Sequence, residues 1–212
     1  MFTGFFYNER NLNVKIDILK VGIFQVNCYI LENENELLCI DAGANFKKIS
    51  ECIDSKNKKL VGICLTHGHF DHIGAVDELV AKYNCPVYLS SEDLYLATHK
   101  EINFMNSRSA EITEEIFEYP VGKLKIGSFE FEIIDTPGHT EGSVCLLFDK
   151  CIFTGDTLFK NSVGRTDLYS SSDVKLKTSL KQIIALDYDL IVYPGHADST
   201  TIKDEIENNP YL

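Results

Sequence analysis

The feature that most constrains this chain is Thr66-His67-Gly68-His69-Phe70-Asp71-His72, which follows the apolar run Leu60–Leu65 without a spacer. Three histidines and an aspartate packed this closely are poor core filler, because each buried polar group needs a partner. Neutral imidazole and carboxylate are instead good ligands for zinc, iron or manganese. His67 and His69 stand two apart, so they face one side only where the chain is extended. They can share a cation only in a loop at a strand end. Asp71 and His72 turn elsewhere, as suits a second ion beside the first, and Gly68 lets the chain fold tightly around the cluster.

Further donors recur in the same kind of position. Leu190–Tyr193 reads as a strand ending in Pro194-Gly195-His196, and Phe129–Ile134 as one ending in Asp135-Thr136-Pro137-Gly138-His139. Cys151–Phe153 leads to Gly155-Asp156. Every histidine except His99, read as a surface residue, therefore sits in a strand-end motif. Two ions need about seven or eight positions; His67, His69, Asp71, His72, His139, Asp156 and His196 supply seven. Water would fill the rest, as an open catalytic site requires.

The intervening segments predict sheets covered by helices. Val14–Lys20, Cys28–Glu32, Leu37–Ile40, Val87–Leu89 and Val144–Phe148 read as strands. Phe46–Ser55, Val174–Leu186 and Thr201–Asn208 read as helices, and Ile73, Val76, Val80 and Tyr83 recur at helical spacing. The aromatic stretch Met1–Tyr7 is expected to pack as an edge strand. Strands in runs with interspersed helices fit layered sheets better than a strict doubly wound order. No linker or low-complexity tract divides residues 1–212, so a single domain is expected.

Composition narrows the function. A formal charge of −12 lacks the basic stripe that nucleic acid or an anionic membrane would need. No stretch of about eighteen uninterrupted apolar residues is present to span a bilayer. The seven cysteines form no C-x-x-C pair, and Cys39, Cys64 and Cys145 sit in apolar runs. They read as reduced structural thiols, which together with the absence of a signal peptide predicts a cytoplasmic protein. The expected partner is a small-molecule substrate, with no nucleic acid and no membrane.

With these motifs in view, the chain resembles the metallo-β-lactamase-fold hydrolases, and among them the small glyoxalase II-like (hydroxyacylglutathione hydrolase-like) proteins. The resemblance rests on Asp41-Ala42-Gly43, the 67–72 motif, Asp135–His139, Thr154-Gly155-Asp156-Thr157-Leu158-Phe159, Gly164-Arg165-Thr166-Asp167 and Tyr193–His196. It implies an α+β fold: an αβ/βα four-layer sandwich of two mixed sheets with helices outside. It implies two divalent metal ions, zinc foremost with iron or manganese as alternatives. His67, His69 and His139 would hold one, Asp71, His72 and His196 the other, and Asp156 would bridge them. Asp41 would orient a ligand histidine, with capping of the following helix as the lesser alternative. Asp71 could take up a proton while ligating. The implied reaction is hydrolysis of thioesters such as S-lactoylglutathione by a metal-bound hydroxide. Arg165 could bind a substrate carboxylate or pair with Asp167.

Two alternatives share these residues. The Gly164–Asp167 segment also occurs in persulfide dioxygenases, where one iron would sit on His67, His139 and Asp156. A lactonase or another hydrolase of the same fold is the other. Only sixteen residues follow His196, too few for the C-terminal helical region that helps bind glutathione in full-length glyoxalase II enzymes. An open pocket with weak discrimination among acyl thioesters is therefore expected, unless the His99–Ala110 segment folds over it.

Overall fold

The computed structural model describes residues 14–105, 107–120 and 122–212; the edge-strand expectation for Met1–Tyr7 lies outside them. The first sheet opens with the antiparallel strands β1 (Lys15–Val21), β2 (Val26–Glu32) and β3 (Glu36–Ile40). Helix α1 (Phe46–Ser55) then carries the chain across to β4 (Lys59–Cys64), parallel to β3. β5 (Val87–Leu89) and β6 (Ile116–Glu118) continue in parallel. Between β4 and β5 lie α2 (Phe70–Ile73) and α3 (Val76–Tyr83). Between β5 and β6 lie α4 (Leu94–Thr98) and a small hairpin pairing Phe104–Met105 with Arg108–Ser109.

The second sheet comprises β7 (Lys123–Ile126), β8 (Phe129–Asp135), β9 (Val144–Leu147), β10 (Cys151–Gly155), β11 (Ile191–Pro194) and β12 (Thr200–Thr201). It is antiparallel except where β11 runs parallel to β10. The crossover between those two strands carries a hairpin pairing Leu158–Phe159 with Ser162–Val163 and helix α5 (Asp173–Ile183). Helix α6 (Ile202–Asn208) follows β12.

The alternation of side chains along a strand explains the layering. In β2, Cys28 and Ile30 pack toward α1 and α3, against Ile49, Ile53, Val76 and Leu79. Tyr29 and Leu31 point the other way and meet Phe129, Phe131, Ile133, Val144, Leu146 and Phe153 of the second sheet. On that sheet's outer face, Ile134, Cys145, Ile152 and Val192 pack under Leu176, Leu180 and Ile183 of α5 and Ile202 of α6. Each such side chain, once buried, contributes about 1.5–3 kcal/mol. The result is the four-layer α+β sandwich of helices, sheet, sheet and helices. All seven cysteines are free. No helix among the described residues is long and apolar enough to cross a membrane.

The sequence periodicity from Ile73 to Tyr83 hides a break. α2 ends at Gly74, and Ala75 N–H donates to the carbonyl of Ala42 at 2.9 Å, so α3 starts afresh. The bend docks the loop after β3 onto the loop after β4. Those loops and the ones after β8, β10 and β11 lie at one edge of the sandwich. Val144 N–H donates to Thr66 O (2.8 Å) and Asn27 N–H to Gly195 O (2.7 Å), tying the two sheets together there.

Candidate metal centre

Strand-end loops are where a rigid scaffold presents chemistry, and here five of them converge. Each of three sets brings one ligand atom per residue within 4.8 Å of the others: His67, His69 and His139; His67, His72 and Asp156; and Asp71, His72 and His196. Asp156 lies between the outer sets, with Oδ2 3.4 Å from His139 Nε2 and Oδ1 3.4 Å from His72 Nε2. Its Oδ2 is also 3.5 Å from His196 Nε2. The structure thus brings all seven sequence-derived donors together. Gly195 makes the approach possible, since a Cβ there would collide with Asp156 Oδ1 and His72 Cε1.

The rings are held by bonds on their far nitrogens. His72 Nδ1 lies 2.9 Å from Asp41 Oδ2, His139 Nδ1 2.9 Å from Arg165 O, and His196 Nδ1 3.0 Å from Phe24 O. Each of these acceptors fixes the proton on Nδ1 and leaves the Nε2 lone pair facing the cluster, the device that orients metal-binding histidines. His67 Nδ1 is 3.1 Å from Thr66 Oγ1, whose own proton goes to Asp41 Oδ2 at 2.7 Å. His69 differs, turning Nδ1 inward to 2.8 Å from His139 Nε2. Asp41 makes no helix cap; the residue before α1 is Asn45.

Three inward atoms, His67 Nε2, His72 Nε2 and Asp156 Oδ1, are buried without any hydrogen-bond partner. Orphaned buried polar atoms are costly, and bound cations would satisfy all three. The donor set of five imidazoles and two carboxylates fits zinc, iron or manganese.

Charge within the cluster is divided. Burial, aided by neighbouring imidazoles, holds His67 well below its ordinary pKa and pushes His69 down to about 3. Both are neutral lone-pair donors at physiological pH. Burial opposes charge on His72 and His196 too, but Asp41 and Asp156 outweigh it at His72, and Asp156 and Asp71 at His196, so both pKa values rise. Burial would lift Asp71 and Asp156 as well. Histidines override it: His196 and then His72 at Asp71, His72 and then His196 at Asp156, and both carboxylates stay ionised. A proton on His72 or His196 stands where a divalent cation would offset the same carboxylates.

The cluster forms the floor of a cleft of about 560 Å³, walled by Phe24, Phe70, Ile102, Phe104, Phe159 and Tyr169 among others. Of the His99–Ala110 segment, Ile102–Met105 are part of that wall. His99 is elsewhere, packed against Tyr95 with ring centroids 4.0 Å apart. Arg165 lines the cleft, but its Nε and Nη2 bond both carboxylate oxygens of Asp167 at 2.6 and 2.7 Å.

Two buried residues at the site were not legible in the sequence. Asp93 accepts from Gly68 N–H, Thr140 Oγ1 and Gly142 N–H. Asn103 donates to Gly68 O (2.7 Å) and accepts from Phe70 N–H (2.7 Å). Asp93 stands in Ser90-Ser91-Glu92-Asp93, a run that reads as solvated turn, and nothing local marks it as buried.

A four-layer fold with an imidazole–carboxylate cluster beneath an open cleft is the architecture of a metallo-hydrolase. The family model for the metallo-beta-lactamase superfamily matches residues 21–196. The chain is 34% identical over 201 residues to the probable metallo-hydrolase YqgX of Bacillus subtilis, covering 92% of this chain and 95% of that protein. It is 32% identical over 208 residues to the hydroxyacylglutathione hydrolase GloC of Haemophilus influenzae, covering 94% and 98%. Among solved structures, the B3 metallo-beta-lactamase BLEG-1 matches with a TM-score of 0.90 at 32% identity, over 93% of this chain and 99% of that one. TTHA1623 in a di-iron-bound form matches with a TM-score of 0.85 at 32% identity, over 92% and 100%. The chain belongs to the metallo-beta-lactamase superfamily.

Proposed function

We propose that this chain hydrolyses acyl thioesters on a pair of divalent cations, zinc being the first candidate and iron or manganese the alternatives. The observation that carries the reading is the convergence of seven N and O donors, three of them buried without partners, on the floor of an open cleft. The likeness to GloC, a hydroxyacylglutathione hydrolase, supports the thioester. The likeness to TTHA1623, which binds a pair of irons, keeps iron among the candidates.

His67, His69 and His139 would hold one cation and Asp71, His72 and His196 the other, with Asp156 between them. When bound, such a pair would lower the pKa of a water and polarise the carbonyl under attack. Asp71 lines the cleft 3.5 Å from His196 Nε2, where its carboxylate can take the proton that an attacking water sheds. A thiolate departs readily without prior protonation. The apolar wall of Phe24, Phe70, Ile102 and Phe104 orients the nonreacting part of the substrate and thins the water around it.

The test joins metal quantification on protein made without added metal to initial rates with S-lactoylglutathione and a simpler acyl thioester. His69→Ala and Asp156→Ala are expected to lower kcat/KM by about a thousandfold or more, roughly 4 kcal/mol of transition-state stabilisation. Unchanged turnover in both variants sinks the proposal. Oxygen consumption with glutathione persulfide, by protein purified anaerobically with iron alone, would replace hydrolysis with persulfide oxidation.

A further inference from the structure

Asp93 touches none of the seven donors, yet it joins the loops that carry three of them. Its Oδ2 accepts from the N–H of Gly68 (2.8 Å), the peptide between His67 and His69. The same oxygen accepts from Thr140 Oγ1 (2.7 Å), next in sequence to His139, and Oδ1 accepts from Gly142 N–H (2.8 Å). The side chain is fully buried. The fit is close on both sides: a Cβ on Gly142 would stand 2.6–2.7 Å from Asp93 atoms, and one on Gly68 would stand 3.1 Å from the Asp93 carbonyl. All three bonded groups are donors, so the site calls for a side chain with two acceptor oxygens.

The second set of donors is held differently. His72 bonds Asp41 and His196 bonds the Phe24 carbonyl. Asp93 bonds neither residue, nor Asp71, nor the loop after β11 that carries His196.

We infer that Asp93 is a positioning residue for one cation of the pair, fixing the separation of the His67–His69 loop from the His139 loop and leaving the Asp71–His72–His196 set untouched. This rests on the reading above that those two sets bind metal. A three-imidazole site draws its ligands from two loops on different sheets, and its geometry depends on whatever spans them. Asp93 is that span. Replacing it with Asn presents an NH2 group to at least one donor and turns an attraction into a repulsion. Loss of a partner bonded directly to a ligand weakens metal binding by about 10–100-fold; Asp93, one bond further out, is placed at the lower end of that range.

The test is native mass spectrometry on Asp93→Asn and Thr140→Val during zinc titration, with a competing chelator to rank affinities. Wild-type protein is expected to take up two zinc ions. Asp93→Asn should retain one at wild-type affinity, with the other weakened at least tenfold. Thr140→Val removes one of the three bonds and should weaken the same ion less. Should Asp93→Asn fail to fold, the milder Thr140→Val decides. A general loss of packing would lower the melting temperature of the metal-free variants but leave the two affinities in their wild-type ratio. Two ions bound with that ratio unchanged overturn the inference. A wild-type chain that binds none of zinc, iron or manganese overturns both it and the proposed function. One that binds two and cleaves no thioester overturns the proposed function alone.

Discussion

Asp41 accepts from Thr66 N–H through Oδ1, and from Thr66 Oγ1 and His72 Nδ1 through Oδ2. One carboxylate thus steadies the motif loop and chooses the His72 tautomer. Its backbone lies in the left-handed region at φ +55°, an uncommon conformation for a residue other than glycine that is found at over-determined functional positions. Asp41→Asn keeps the shape but turns one acceptor into a donor. If the NH2 faces His72, that ring is pushed toward carrying its proton on Nε2, the atom that faces the cluster. The expected outcome is the complement of Asp93→Asn: the cation on Asp71, His72 and His196 weakens by about 10–100-fold, and kcat/KM falls with it. Zinc titration with a chelator checks this, and two ions bound as in wild type would refute it.

Whole elements decide what reaches the centre. The Gly164–Asp167 segment gives the site a main-chain carbonyl, from Arg165 to His139, while the guanidinium is engaged by Asp167 in a two-point pair. Arg165 is the sole lysine or arginine among the described residues lining the cleft. With Asp167 in place it has little charge to offer a substrate carboxylate. Asp167→Asn should release it: kcat/KM for an anionic thioester such as S-lactoylglutathione is expected to rise several-fold, with that for an uncharged acyl thioester unchanged. An equal change in both rates would show that the pair only braces the loop. The spacing of Arg165 and Asp167 is visible in the sequence, but their bidentate geometry is not. The same limit applies to the helix after the motif, where apolar spacing runs on across Gly74 although the chain breaks to dock on Ala42. Short strands such as Ile116–Glu118 and Lys123–Ile126 give no readable period, because each has only three or four residues and Glu118, Lys123 and Lys125 are exposed charges.

Across the molecule, the central strands of the first sheet were legible because both their faces are covered, which leaves near-continuous apolar runs such as Cys28–Leu31 and Leu37–Ile40, whereas Phe129–Ile134 was legible from its alternation with the exposed Glu130 and Glu132. The seven donors were legible because they cluster in one motif and recur after strands. The residues that hold them, Asp93 and Asn103 above all, were hidden because their partners lie on other loops. That division has a thermodynamic consequence. His67, His69, Asp71 and His72 follow a strand of the first sheet, whereas His139, Asp156 and His196 follow strands of the second. Cations bound between them would cross-link the two halves of the sandwich and stabilise only the folded chain. At a free concentration about a hundred times its dissociation constant, one such ion adds roughly 2.7 kcal/mol, so two add about 5. For a chain of this size each kcal/mol shifts the melting temperature by about 2–4 °C. Chelation should therefore lower it by roughly 10–20 °C, with Asp93→Asn, holding one ion, falling between the loaded and stripped forms. Calorimetry before and after chelation, with metal content measured on the same samples, reads this out. A melting temperature that stays within about 2 °C once both ions are gone would mean that the sheets hold each other without them.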